Sequence, residues 1–504
     1  MQTLDLIIIF GYLIGITAFG IWYAGRQETT EDYFVGDRSV PWWAIAMSIV
    51  ATETSTITFV SVPGIAFAKN GNFQFLQLVF GYLLGRVVIS LVFIPLYFKG
   101  ELQTVYQLLG ERFGTKVKML ASGLFVIMRN IADGIRLLLT AIVLAAVYMS
   151  FNPSSDQTTI IIGSIILLGI VMIVFTFYGG IEAVIWVEVV QLVIYIGGAI
   201  AAAVVLISNI DGGLQGAIEL GRQFTKFDVF DFDLNFAKTY TFWGGLFGGC
   251  FLTMSTHGTD QYLVQRYLCT NKPSSATTAL LTSGAVVLAQ FIGFLFIGVL
   301  LFAFYAPYDA AEYAQIGVEG SKIPATFPFL KGDQVFPNFI TEHMPAGLSG
   351  LVVAAIFAAA LSSSLNSIAA TFINDLYRPF AKDTSDRHLL KLSGVLTVVI
   401  GIVQIMVAIA FMRSGESALG LALSVASLIN GPILGVFLVG TFLKNAKEKH
   451  ALVGMLASIV LMTYILLGTK IAWTWYAIIG SITTVVVAFA ASLVLRNRND
   501  EVSV

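Results

Sequence analysis

Apolar residues do not alternate with polar ones along this chain. They run together in long blocks separated by short polar stretches. A helix that crosses a membrane needs about 20 mainly apolar residues. That length picks out thirteen segments, at 4–24, 41–69, 73–98, 117–149, 158–178, 182–208, 240–263, 276–306, 346–377, 388–412, 416–442, 450–469 and 472–495. A transmembrane barrel would show short strands of alternating polarity instead. The expected class is therefore an all-α polytopic membrane protein with thirteen spans. The first block, Leu4 to Ala24, has no basic residue before it and is long enough to cross, so it reads as a spanning helix and not as a cleaved leader.

Composition supports this reading. The 504 residues are 57% hydrophobic and only 12% charged. A soluble domain carries roughly a quarter of its residues as charges, so lipid must cover much of this surface. The net charge of -2 leaves no basic face for nucleic acid. Cys250 and Cys269 are too few for a disulfide framework. Lys and Arg set the orientation, because they concentrate on the cytoplasmic side. With the N-terminus outside, 17 of the 28 fall in inner segments and 8 in outer ones, while Arg86, Arg129 and Arg136 lie within spans. The chain is thus expected to begin outside and end in the cytoplasm, in a plasma (inner) membrane.

Three spans depart from plain apolar helix. The second reads Ala51-Thr52-Glu53-Thr54-Ser55-Thr56-Ile57-Thr58, then Pro63-Gly64. Ser and Thr compete for backbone hydrogen bonds, and an unwound stretch at mid-membrane frees carbonyls that suit a hard cation such as sodium. The alternative is a polar seam bonded to neighbouring helices. The seventh span opens Gly244-Gly245-Leu246-Phe247-Gly248-Gly249 and continues through Thr253, Ser255, Thr256, His257 and Asp260. A second interrupted span five helices after the first points to a repeated five-helix unit of inverted topology, 41–208 and 240–442. One extra helix precedes the two units and two follow them, at 450–495. The ninth span carries Ala358-Ala359-Ala360-Leu361-Ser362-Ser363-Ser364. Its serines offer uncharged oxygens to a monovalent cation, or simply let helices touch.

Ionisable residues inside a membrane are site hypotheses by default. On the fourth span Arg129, Asp133 and Arg136 share one helix face. They form either a self-neutralised cluster or a wall from which an Arg meets an anionic solute. Gln77, among Phe73, Phe75 and Phe80, suits a hydroxylated solute or bonds another helix. Glu182 and Glu188 flank Trp186 near the inner end of the sixth span. No nucleophile–base pair or metal-ligand cluster stands out, so the chain does not read as an enzyme.

Together these features resemble the sodium–solute symporter family, which includes sodium–glucose, proline, iodide and sialic acid transporters. The resemblance rests on Glu31-Asp32-Tyr33-Phe34-Val35-Gly36, on Ala51 to Gly64, on Gly179-Gly180-Ile181-Glu182-Ala183-Val184-Ile185-Trp186, on Asp260-Gln261-Tyr262-Leu263-Val264-Gln265-Arg266, and on Leu365-Asn366-Ser367 with Asp375-Leu376-Tyr377. It covers nearly the whole chain. It implies the leucine-transporter fold, with two inverted five-helix repeats, and a sodium site between the second and ninth spans. Carried over by position, that site comprises the carbonyls of Ala51, Thr54 and Ala359 and the hydroxyls of Ser362 and Ser363. Glu188 stands where an Asp near a second ion is common. The chain departs from the pattern in having about three residues fewer between the alanines and Asn366. Counting from Asn366 puts Ala359 and Ala360 at the common sodium site and moves the serines towards the second. For the solute, the resemblance implies Ser55, Thr58, Phe73 and Gln77, with Arg136, Ser255 and His257 as further candidates. Where the sialic acid branch has an Arg on the fourth span, this chain has Ala132, with Arg136 one turn away.

The expected activity is sodium-coupled import of a small polar solute, a sugar, sugar acid or other organic acid, by alternating access. Sodium, the solute and the bilayer are the only partners implied; no obligatory protein partner is. Two alternatives stay open. One is a proton-coupled carrier of the same fold using Glu53, Glu188 or Asp133. The other is a solute-binding receptor, which would want a signalling domain beyond the short tail after Arg496.

Overall fold

The computed structural model describes residues 1–24, 29–36, 38–100, 102–152, 154–178, 181–305, 310–318, 321–361, 364–381, 385–412 and 418–500, and the regular elements among them are all helical. Helices occupy every expected position, with the same order. Among the described residues nine are long and apolar enough to cross a membrane, and the bent pair Trp42–Glu53 and Thr58–Phe67 counts as a tenth. The first and ninth positions hold the helices Thr3–Ala24 and Leu348–Leu361. The seventh position is divided into Gly249–Thr259 and Gln261–Leu268. Polar residues thus divide the second and seventh positions.

Most buried apolar side chains fall into two large clusters. One holds Ile45, Ile49, Phe125, Met128, Val184 and Val187. The other holds Val50, Phe59, Leu137, Leu192, Phe294 and Phe357. Several long helices pass from one cluster to the other, and on three of them polar residues sit at the crossing. On the fourth span the gap between Met128 and Leu137 contains Arg129, Asp133 and Arg136. On the sixth, Glu188 and Gln191 lie between Val187 and Leu192; on the third, Arg86 lies between Val79 and Ile89. The fold thus sandwiches a polar layer between two apolar ones.

The second span runs as two half-helices, Trp42–Glu53 and Thr56–Phe67, bent by 55° and named inner and outer after the orientation expected from the Lys and Arg distribution. The backbone ladder stops at Thr54 N to the Val50 carbonyl, 2.8 Å, and resumes with Phe59 N to the Ser55 carbonyl, 3.0 Å. A helix end leaves its last four carbonyls without an intrahelical partner. Here the end falls inside the membrane, so the carbonyls of Ala51 to Thr54 are left for other donors. The glycines of the seventh span do something different. Gly244–Gly248 form one π-helical turn against the third span. A side chain at Gly81 would run into the Gly245 carbonyl oxygen, and one at Gly249 would lie 2.5 Å from the Leu78 carbonyl oxygen. The break in this span comes later, at Asp260, whose extended backbone and carboxylate cap the next helix through Tyr262 N at 2.9 Å.

Candidate functional site

Both breaks face one cavity of about 180 Å³ in the polar layer. From the second span it is lined by Thr52, Glu53, Ser55 and Thr58, and from the fourth by Arg129, Ala132 and Arg136. The seventh span adds Thr253, Thr256, His257 and Tyr262, and the aromatic walls are Phe75, Tyr82 and Phe291.

Each charged wall is held from behind. Glu53 contacts the Arg86 guanidinium and His257 Nε2 through one carboxylate oxygen, Oε1. Its other oxygen, Oε2, has no hydrogen-bond partner. His257 Nδ1 lies 3.0 Å from the Tyr267 hydroxyl. Across the cavity Arg129 bridges Asp133 at 3.4 Å and Asp260 at 3.3 Å, and Arg136 lies 3.6 Å from Asp133. The Tyr262 ring packs against three guanidiniums, with Arg129 at 4.1 Å, Arg266 at 4.5 Å and Arg136 at 5.7 Å from its centre. Cations within about 6 Å of a ring centroid are attracted to its face, so Tyr262 fixes the arginines without neutralising them.

Several expected site residues are placed here. Ser55 and Thr58 line the cavity, and the Thr58 hydroxyl donates to the Glu53 carbonyl at 2.7 Å, filling one freed acceptor. Thr54 Oγ1 lies 2.6 Å from the Val50 carbonyl oxygen and 2.7 Å from the Gln290 side-chain amide oxygen. Arg136 and His257 are both wall residues. Ala359 belongs to the helix Leu348–Leu361, while Ser362 and Ser363 lie outside the described residues.

Four expected residues are placed elsewhere. Gln77 is spent on the outer loop: its amide accepts from Asp231 N at 2.8 Å and donates to the carbonyls of Gln74 and Tyr240 at 3.1 and 3.4 Å. Phe73 packs against Phe227 at 5.4 Å, and Phe75 takes the place at the cavity. The Ser255 hydroxyl donates to its own helix at the Leu252 carbonyl, 2.7 Å. Glu188 is fully buried and fully engaged. It accepts from Ser48, from Thr52 at 3.1 Å and from Arg266, whose Nε lies 3.3 Å away. It ties the inner half-helix to the seventh span.

The motif residues also meet in space. Gln265 Nε2 donates to the Phe34 carbonyl, the Ser367 hydroxyl meets Gln265 Oε1, and Asn366 Nδ2 lies 3.4 Å from the Tyr33 carbonyl. They join the short helix Thr30–Val35, which precedes the second span, to the seventh and ninth spans. Residues 33–458 match the model of the sodium:solute symporter family. The chain belongs to that family. It is 31% identical to the sodium/sialic acid symporter NanT of Aliivibrio fischeri, over 99% of this chain and 95% of the relative. It is 27% identical to the human sodium/iodide cotransporter, over 91% of this chain and 69% of the relative. Among solved structures, a sodium-coupled sialic acid symporter in a substrate-bound outward-open state superposes with a TM-score of 0.82 at 29% identity, covering 98% of each chain. The nucleobase–cation transporter Mhp1 superposes at 0.53 with 14% identity, a likeness of fold alone. This family member has the leucine-transporter fold.

Proposed function

We propose that this symporter imports a small anionic solute, a sugar acid or another organic acid, together with sodium by alternating access. The charge of the cavity wall carries the reading. One carboxylate, Glu53, faces two guanidiniums, Arg129 and Arg136, whose counter-charges Asp133 and Asp260 stand behind the wall, so the lining presents more positive groups than negative ones. Such a cavity concentrates anions, and Ser55, Thr58, Thr253 and Thr256 add hydroxyls for a polyhydroxylated body. The similar sodium/sialic acid symporters carry a solute of this kind. Ala132 in place of the sialic acid branch's arginine leaves Arg136, one turn away, as the group that meets the carboxylate.

Sodium is cargo in this scheme. It binds where the carbonyls of Ala51 and Thr54 leave the ladder, opposite the Ala359 carbonyl and the hydroxyls of Ser362 and Ser363. Occupancy ties the second span to the ninth and favours the conformation that binds solute, so each ligand raises affinity for the other. The repeats run 41–208 and 240–442, flanked by 4–24 and 450–495, in a plasma membrane with the N-terminus outside and the C-terminus cytoplasmic.

The test is uptake into proteoliposomes across a panel of sugar acids, monocarboxylates and neutral sugars. Uptake of an acid should need an inward sodium gradient and fall sharply in Ser362→Ala/Ser363→Ala. Equal uptake in sodium-free medium would refute the coupling ion, and uptake restricted to neutral sugars would refute the anion. One observation favours a second reading, a proton-coupled carrier: Glu53 touches His257, which continues to Tyr267. Uptake driven by a pH gradient without sodium would select it.

A further inference from the structure

Ser362 and Ser363, the expected sodium ligands, are followed directly in the chain by Ser364, the N-cap of the helix Leu365–Thr371. Ser364 is fully buried. Its amide nitrogen lies 3.1 Å from Asp133 Oδ2, and its hydroxyl donates to the same oxygen. The other oxygen of Asp133 faces the cavity arginines, Arg129 at 3.4 Å and Arg136 at 3.6 Å. One carboxylate therefore has one oxygen on Ser364 and the other on the guanidiniums that line the solute cavity. Arg129 has a second carboxylate, Asp260. Among the described residues Asp133 is the carboxylate within 4 Å of Arg136.

We infer that Asp133 is the positioning residue that couples sodium to solute, by transmitting movement of Ser364 to Arg136. This rests on the sodium site and anionic solute proposed above. The physical argument is the connection itself. Ser364 and Arg136 are both held by one side chain on one rigid helix, the fourth. Any shift of the Ser364 amide that follows ion binding moves the oxygen it is bonded to, and with it the counter-charge of Arg136. Coupling requires such a shared element whose equilibrium both sites bias. A carboxylate can accept from both sides at once. An asparagine in its place keeps the shape but has one acceptor and turns an N–H toward either the serine or the arginine.

The experiment uses sodium alone as the probe. In the full-length protein with Cys250→Ala and Cys269→Ala, a cysteine at Ala132 reports the cavity through its reaction with a charged methanethiosulfonate. Sodium binding is read independently, as a thermal shift against choline. With Asp133 present, sodium should change the reaction rate at least about fivefold, the low end of typical allosteric couplings. In Asp133→Asn the thermal shift should remain and the rate change should fall below about twofold, the residue of a coupling mostly lost. Ser364→Ala, which keeps the amide bond, should fall between them and serves if Asp133→Asn does not fold. An unchanged sodium effect in a folded variant overturns the assignment to Asp133. Absence of any sodium effect on the unsubstituted parent overturns the sodium reading itself.

Discussion

The two halves of the second span are held in different ways. The inner half, Trp42–Glu53, is anchored through Ser48 and Thr52 to Glu188, which is paired with Arg266, and both charged side chains are wholly buried. The outer half, Thr56–Phe67, is anchored by single hydrogen bonds. The Thr56 hydroxyl lies 3.2 Å from the Ile356 carbonyl and 3.2 Å from Thr140 Oγ1, and Lys226 sits on the carbonyls that end the helix. The two kinds of anchor fail differently. A buried ion pair is all-or-none, because losing either partner strands a charge. A neutral hydrogen bond contributes about 1 kcal/mol and can be exchanged for another. The inner half is thus built as a fixed reference, and the outer half as the part that rearranges at low cost when the cavity opens or closes.

The largest effect should come from breaking the inner anchor. Glu188→Ala leaves Arg266 buried without its carboxylate and should cost about 3–5 kcal/mol. In practice little folded protein would survive solubilisation, as size-exclusion profiles and thermal denaturation will report. Glu188→Ala/Arg266→Met should recover much of the loss, since replacing both charges with apolar groups is often neutral. A single variant as stable as the parent would remove the contrast between the halves.

Next comes the hinge between them. Glu53→Gln keeps the volume of the side chain but leaves Arg86 without a full counter-charge. Charge-assisted hydrogen bonds contribute about 1.5–3 kcal/mol, and 1.4 kcal/mol is about tenfold in an equilibrium constant. Uptake should therefore fall by at least about tenfold, with thermal stability lowered much less than in Glu188→Ala. Full activity in Glu53→Gln would make this carboxylate a structural group like Glu188.

Much of this architecture was legible in the sequence, for a physical reason. Bilayer thickness fixes span length, so apolar blocks map onto helices almost directly. The break at Thr54 and Ser55 was legible because Ser and Thr weaken a helix wherever it lies. The seventh-span break was less so. Gly244 to Gly249 look like the interruption, but backbone contact with the third span uses them up, and a single capping residue, Asp260, makes the break. The solute residues were least legible. Nothing in the order of residues says that the loop at 228–240 folds back onto Gln77, or that Phe75 instead of Phe73 turns inward. Tyr262 was visible only as part of a motif; its contact with three arginines depends on how three helices meet. Glu188 looked like an ion ligand because its type and position fit, and only the geometry shows both its oxygens spent.

The outer anchor should respond in smaller steps. Thr56→Val removes the hydroxyl from two partners and should cost about 1–2 kcal/mol, the scale of one or two neutral hydrogen bonds. It should alter the sodium concentration for half-maximal uptake more than it alters thermal stability. A loss as large as that of Glu188→Ala would show that the outer half is no more loosely held than the inner.

The smallest effect belongs to Lys226, in the outer loop. Its ammonium lies 3.1 Å from the Ala66 carbonyl, 3.2 Å from that of Phe67 and 4.2 Å from the centre of the Phe302 ring, where it caps the outer half-helix. Burial pushes this amine down from 10.5 to about 7. Between those values the unfolded chain holds a proton that the folded chain has released, so stability rises with pH across that window and levels off below about 7. The parent should therefore gain thermal stability from pH 7 to pH 9 relative to Lys226→Met, which lacks the titrating group. Since the cap has several carbonyls to choose from and persists in either protonation state, uptake at fixed sodium should change less than in Thr56→Val. A parent and variant with parallel pH profiles would show that the outer half-helix is not held by a dehydrated amine, and would leave Thr56 as the anchor that distinguishes it from the inner half.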